Sequence, residues 1–162
     1  MKKILITGGS GLLGCNLALR LRNKFDVAIL INNRLIELPG VTIFDNKIFS
    51  QENDKTFVPD LIVNTVALTD IELCEHNPSL AFETNINFLK LLNQKFKEKK
   101  TKLIHISTDH LSDGLSSFFK EDDIIKPLNV YARTKWYAEK YIIDEIPNSI
   151  ILRTNFFGWG TK

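Results

Sequence analysis

The chain has 162 residues, 44% of them hydrophobic and 25% charged, which is ordinary usage for a single globular domain. That composition excludes a disordered, collagen-like or coiled-coil chain. The 21 basic residues against 19 acidic ones leave a formal charge of +2, which gives no case for a nucleic-acid or membrane-surface partner, since either would want clustered excess positive charge.

Met1-Lys2-Lys3 followed by Ile4-Leu5-Ile6 briefly imitates a signal peptide, but the apolar stretch stops at Thr7-Gly8-Gly9, short of the roughly 7–15 residues an h-region needs. Ile4 to Thr7 reads as a buried strand, and Gly11 to Asn23, with Leu12, Leu13, Leu17, Leu19 and Leu21, as a helix. Asp26 to Ile31 is a second strand and Val41 to Phe44 a short third. Asp60 to Val66, after Pro59, is a fourth, rich in the Ile and Val of a strand covered on both faces. Asn77-Pro78 reads as a helix cap followed by proline at the first helical position. The helix it opens carries Leu80, Phe82, Ile86, Leu89 and Leu92 and ends in the basic stretch Lys95 to Lys102. Lys102 to Ser107 is a fifth strand, Asp109 to Pro127 a loop, Asn129 to Asp144 a helix and Ser149 to Arg153 a sixth strand. The stretch from Asn46 to Val58 is the least legible. No apolar run approaches the ~20 residues of a membrane span.

Strand and helix alternate throughout, which predicts an α/β fold: a doubly wound parallel sheet of Rossmann type with helices on both faces. The chain stops soon after the sixth strand, at Gly158-Trp159-Gly160-Thr161-Lys162. The expectation is one dinucleotide-binding domain, 1–162. Cys15 and Cys74 form no CxxC pair and lie near no histidine cluster, so neither a disulfide framework nor a metal site is expected. A reducing cytoplasm is the expected setting.

The first strand runs directly into Gly8-Gly9-Ser10-Gly11-Leu12-Leu13-Gly14, a GxxGxxG turn at a strand-to-helix junction. A dinucleotide needs a tight turn there, bare backbone facing the pyrophosphate, and close packing of helix on sheet. The helix N-terminus adds unpaired N–H groups and about half a positive charge. Cofactor choice is written at the end of the second strand, where an NAD site places an acid for the ribose 2′-hydroxyl. Here the strand ends Ile31-Asn32-Asn33-Arg34 with no carboxylate. That leaves room beside Asn32 for a 2′-phosphate with Arg34 as its partner. The expected cofactor is NADP(H), with NAD(H) as the alternative.

Tyr131 and Lys135 stand four residues apart, on one face of the predicted helix. They lie between strands five and six, with Ser107-Thr108-Asp109 closing strand five. Ligands in such folds sit at the carboxyl ends of the strands. The chemistry suggested is proton transfer coupled to hydride transfer. Reduction of a ketone builds negative charge on oxygen, and a tyrosine hydroxyl can meet it as a general acid. An adjacent lysine cation is expected to lower the tyrosine from its ordinary pKa near 10. Thr108 can hold the carbonyl oxygen, and Lys135 can also bind the nicotinamide ribose hydroxyls.

Together these stretches resemble the extended short-chain dehydrogenase/reductases and, more narrowly, the dTDP-4-dehydrorhamnose reductase family. The resemblance rests on GGSGLLG from Gly8, DLIVNTVALTDIELCE from Asp60, ISTDHLSDG from Ile106, PLNVYARTK from Pro127 with Glu139, and LRTNFFG from Leu152. It implies Thr108, Tyr131 and Lys135 as the catalytic set, with Asp109 in support. It places Ala67 and Thr69 along the cofactor and Asn85 at the site as a brace. It also implies a nucleotide-sugar substrate, a substrate-binding part following this domain, and a place in cell-surface polysaccharide biosynthesis. His110 and Ser112 stand where the family carries an aromatic or large apolar pair, and Asn155-Phe156-Phe157 where a tryptophan often follows. Both departures bear on sugar specificity.

His105 reads as a core histidine, His76 as a surface one, and the lysines from Lys95 to Lys102 as complements to a helix dipole. Two other readings stay open beside the reductase. One is a sugar-nucleotide epimerase or dehydratase. The other is a non-catalytic NADP-binding regulatory subunit, since the regulatory β subunit of methionine adenosyltransferase resembles the same reductases. Paired helices on one sheet face are compatible with a homodimer.

Overall fold

Six short strands, β1 (Lys3–Thr7), β2 (Asp26–Ile31), β3 (Thr42–Asp45), β4 (Leu61–Asn64), β5 (Lys102–Ser107) and β6 (Ile150–Arg153), form one sheet in the order β3-β2-β1-β4-β5-β6 in the computed structural model. The structure describes residues 1–45, 57–115 and 119–156. The registers from β3 through β5 are all parallel. The order turns back at β1, with β2 on one side and β4 on the other, as in a Rossmann-type doubly wound sheet. The unassigned stretch at 46–56 and the motif residues Phe157 and Gly158 lie outside the described residues. No described helix is long and apolar enough to cross a membrane.

The chain divides into two compact units, one containing Met1–Val66 and Phe96–His105, the other Ala67–Lys95 and Ile106–Asn155. In the first, Ile4 to Thr7 and Val27 to Ile31 are buried without alternation, because both faces of these strands are covered. Helix α1 (Leu12–Leu21) presses Ala18 onto Ile4, Ile6, Val27, Ile29 and Val63. A polar ladder crosses this apolar core. Thr7 Oγ1 donates to Asn64 Oδ1 at 2.7 Å, and Asn64 Nδ2 faces His105 Nδ1 at 3.1 Å. Asn64 Oδ1 also accepts from the Val66 backbone N–H at 3.2 Å. The amide is thereby oriented with its NH₂ toward His105, whose Nδ1 accepts and whose ring proton sits on Nε2.

The Asn64 turn explains why β4 is shorter than the expected Asp60–Val66: the side chain captures the backbone that would have continued the strand. Asn64→Ala strips the acceptor from the buried Thr7 hydroxyl and the part-buried Val66 N–H. It is expected to lower stability by about 2–4 kcal/mol, read as a lower urea midpoint at unchanged slope.

In the second unit a short helix, α2 (Ile71–His76), precedes the proline-opened α3 (Pro78–Phe82). Six residues are too few for a periodic pattern, so α2 escapes a sequence reading; its signal is Asp70, whose Oδ1 accepts from Leu73 N at 2.9 Å. Asn77 caps α3 as expected, accepting from Leu80 N at 3.1 Å. The single helix expected after it is interrupted by a π turn over Glu83–Asn87 before α4 (Phe88–Phe96). The extra residue of a π turn re-aims side chains, and Asn85 and Ile86 are the ones it buries. Helix α5 (Val130–Glu145), capped by Asn129 on Ala132 N at 2.7 Å, packs against α2, α3 and the π turn.

Candidate active site

Geometry at the glycine turn, within the first unit, demands the glycines for three different reasons. Gly8 has φ +72°, and a Cβ there would lie 2.7 Å from Thr65 Oγ1. A Cβ on Gly9 would lie 2.4 Å from Ile29 Cβ, and one on Gly14 would lie 2.4 Å from the Gly8 carbonyl oxygen. Turn, sheet and helix start are therefore in backbone contact. Gly11 differs: an added Cβ would meet only the Gly8 oxygen, at 3.2 Å. Gly11 occupies the N-cap position of α1, with no side-chain cap and no acid in the first turn. Bare backbone at Gly11, open N–H groups at Leu12 and Leu13, and the half-buried Ser10 suit an anion at the helix start. The residues present fit a dinucleotide's pyrophosphate. Asn32 and Arg34 are exposed just past β2.

A second set of groups lies in the second unit. Thr108, buried at the end of β5, lies beside the Tyr131 hydroxyl. Its Oγ1 accepts from His110 N at 3.2 Å and reaches Asp109 Oδ1 at 3.5 Å. Lys135 is 1% exposed, and its Nζ donates to the Ile106 carbonyl at 2.7 Å. The structure therefore joins Thr108, Asp109 and Tyr131, and sets Lys135 against β5. His110 is half-exposed, 3.8 Å from Asp109.

Burial governs the proton affinities. It pushes the Tyr131 hydroxyl up from its ordinary value; the Thr108 hydrogen bond opposes this, while Asp109 and Cys74 add to it. The expected lowering of Tyr131 is thus not what the structure gives, because loss of solvent around the phenolate outweighs what stabilises it. Burial also brings Lys135 down to about 8, with the Glu139 carboxylate opposing.

Asn85 is fully engaged as a brace. Its Oδ1 accepts from Leu68 N at 2.7 Å, and its Nδ2 donates to Leu68 O at 3.3 Å and to Thr134 Oγ1 at 2.8 Å. Ala67 and the exposed Thr69 flank the residue it holds. Thr134, buried and donating to Tyr131 O at 2.7 Å, links this brace to the tyrosine. Glu75 accepts from Val130 N at 2.6 Å and so fixes the start of α5. Neither residue was foreseen; Glu75 carries only the weak signal of an acid ending a helix. Among the three histidines, His105 is buried and bonded in the ladder, and His76 is exposed, facing Glu72 O at 2.8 Å.

The chain is 31% identical over 161 residues to the dTDP-4-dehydrorhamnose reductase of Aggregatibacter actinomycetemcomitans, covering 96% of this chain and 52% of that protein. A hypothetical dTDP-4-dehydrorhamnose reductase structure from Sulfolobus tokodaii superposes with a TM-score of 0.76 at 30% identity, covering 94% of this chain and 55% of that one. The dTDP-4-dehydrorhamnose reductase of Bacillus anthracis, solved in complex with NADP, shares the fold at a TM-score of 0.77 and 23% identity, over 94% of this chain and 53% of its own. The chain thus spans about half the length of the relatives it matches. The family model described as RmlD substrate binding domain matches residues 1–159, and the chain belongs to that family.

Proposed function

We propose that the chain is the NADP(H)-binding part of a reductase acting on the 4-keto group of a nucleotide-linked deoxysugar, in the making of cell-surface polysaccharide. The observation that carries this reading is the placement of Thr108 beside the Tyr131 hydroxyl, on the same unit as the buried Lys135. Gly8, Ser10, Gly11, Leu12, Leu13 and Gly14 would hold the pyrophosphate, Asn32 and Arg34 the 2′-phosphate, and Ala67 and Thr69 would lie along the cofactor, steadied by Asn85. When bound, the reduced nicotinamide supplies the hydride for the carbonyl carbon.

The chain's own groups serve the oxygen. Tyr131 gives its proton to the developing alkoxide, and its raised affinity keeps that proton in place at neutral pH. Thr108 holds a donor that can leave the long 3.5 Å contact with Asp109 for the substrate oxygen. Lys135, as a cation, stabilises the tyrosinate left behind and can bind the nicotinamide ribose.

The test offers the full-length protein that carries this chain NADPH with a panel of nucleotide-linked 4-keto sugars, dTDP-4-dehydrorhamnose among them. Consumption of NADPH supports the reading; saturable NADPH binding with no consumption on any sugar overturns it. Cofactor choice is tested separately by calorimetry. Arg34→Ala is expected to weaken NADPH about 10-fold or more, the loss of a charge-assisted contact, and to leave NADH nearly unchanged. Tighter NADH than NADPH in the unaltered protein would refute the Arg34 assignment.

A further inference from the structure

Glu139 is a carboxylate in an unusual place: 2% exposed on α5, one turn beyond the 1% exposed Lys135. Arg153 on β6 grips it with Nε at 3.1 and 3.2 Å from its two oxygens and NH2 at 2.8 Å. The guanidinium is held in turn by NH1 on the Glu121 carbonyl at 3.2 Å. At four-residue spacing this carboxylate shares a helix face with the lysine.

We propose that Glu139 is a positioning residue: its carboxylate, fixed by Arg153, holds the buried Lys135 ammonium in its charged form. This rests on the reading of Lys135 as the site's cation. On α5 itself Tyr131 stands four residues before the lysine and Glu139 four after it. From β5 the Ile106 carbonyl accepts its proton, and Asp109 follows beside Tyr131. Cys74 of α2 lies against Tyr131, and Arg153 acts on the lysine through Glu139. Glu139 is the anion that opposes the burial of Lys135. Arg153 sets how much of that negative charge the lysine feels, because a cation on the far side of a carboxylate competes for it.

Two substitutions should consequently act in opposite directions. The readout is the titration of Lys135 in the ligand-free 162-residue chain, followed by NMR of ε-carbon-labelled lysine and assigned with Lys135→Arg. The expected midpoint in the unaltered chain is about 8. Glu139→Gln should move it down by roughly one pH unit, and Arg153→Gln should move it up. A merely structural role would give no such opposition. An unmoved midpoint in Glu139→Gln, or shifts of the same sign in both variants, overturns the proposal. Should Glu139→Gln not fold, the Glu139→Gln/Arg153→Gln double variant removes both charges and leaves an amide pair. Its midpoint is expected below that of the unaltered chain, and a midpoint at or above it is the overturning result. The opposed shifts in a protein that consumes no NADPH would support this proposal and remove only the reductase assignment.

Discussion

Tyr131→Phe is expected to lower ketone reduction by ~10²–10⁴-fold, the scale of a lost general acid, with NADPH affinity and folding nearly unchanged. The ring stays and only the hydroxyl goes, so the half-buried packing against Cys74 and Val130 survives. NADPH oxidation in the presence of the keto sugar measures turnover, and calorimetry measures binding. A variant that keeps more than a tenth of the activity would refute Tyr131 as the proton donor.

The pH profile of the unaltered protein adds a second reading of the same pair. Tyr131 is pushed up and keeps its proton beyond neutrality, whereas Lys135 loses its own at about 8. Activity should therefore fall as pH rises through about 8, and Lys135 is the group that falls first. Stability runs the other way over an adjoining window. The unfolded lysine holds its proton to about 10.5 and the folded one only to about 8, so between them the unfolded chain binds more protons. The lysine's cost to folding is full below about 8 and relieved as pH rises toward 10.5.

The second large effect is a contrast between two glycines of one turn. Gly14→Ala puts a methyl 2.4 Å from the Gly8 carbonyl oxygen and 2.9 Å from its carbon. Backbone cannot rotate away as a side chain can, so α1 must lift off the turn. The expected loss is about 1–3 kcal/mol of stability, as for overpacking generally, together with most of the NADPH affinity. Gly11→Ala meets a single atom at 3.2 Å, and its stability should change by less than about 1 kcal/mol. Its NADPH affinity should still fall about tenfold, because the methyl stands where the pyrophosphate would approach the backbone. Denaturant melts and calorimetry on both variants separate the two effects. Unchanged NADPH binding in Gly11→Ala would remove the pyrophosphate from that position.

What was legible in the sequence shares one property: it is written in residues near each other in the chain. Continuous apolar runs announced β1 and β2, because strands covered on both faces need no alternation. Asn77-Pro78 announced its helix, because a cap acts on the next three residues. The glycine turn was readable as a whole, since positive φ and close approach both exclude a side chain.

What was not legible depends on partners far along the chain. The π turn at Glu83–Asn87 has the apolar spacing of an ordinary helix; Asn85 bonding to Leu68 and Thr134 accompanies the break. The grip of Arg153 on Glu139 and that of Glu75 on the start of α5 join separate elements and leave no spacing to read. The direction of the tyrosine shift belongs here too. A sequence supplies a lysine four residues away and so predicts a lower value, but it does not supply burial. By itself the sequence determined the parallel α/β order and the glycine turn, and it named Thr108, Tyr131 and Lys135 as candidates. Only the tertiary structure decided the proton affinities of Tyr131 and Lys135, because desolvation is a property of everything packed around a group, and for both it is the largest cause.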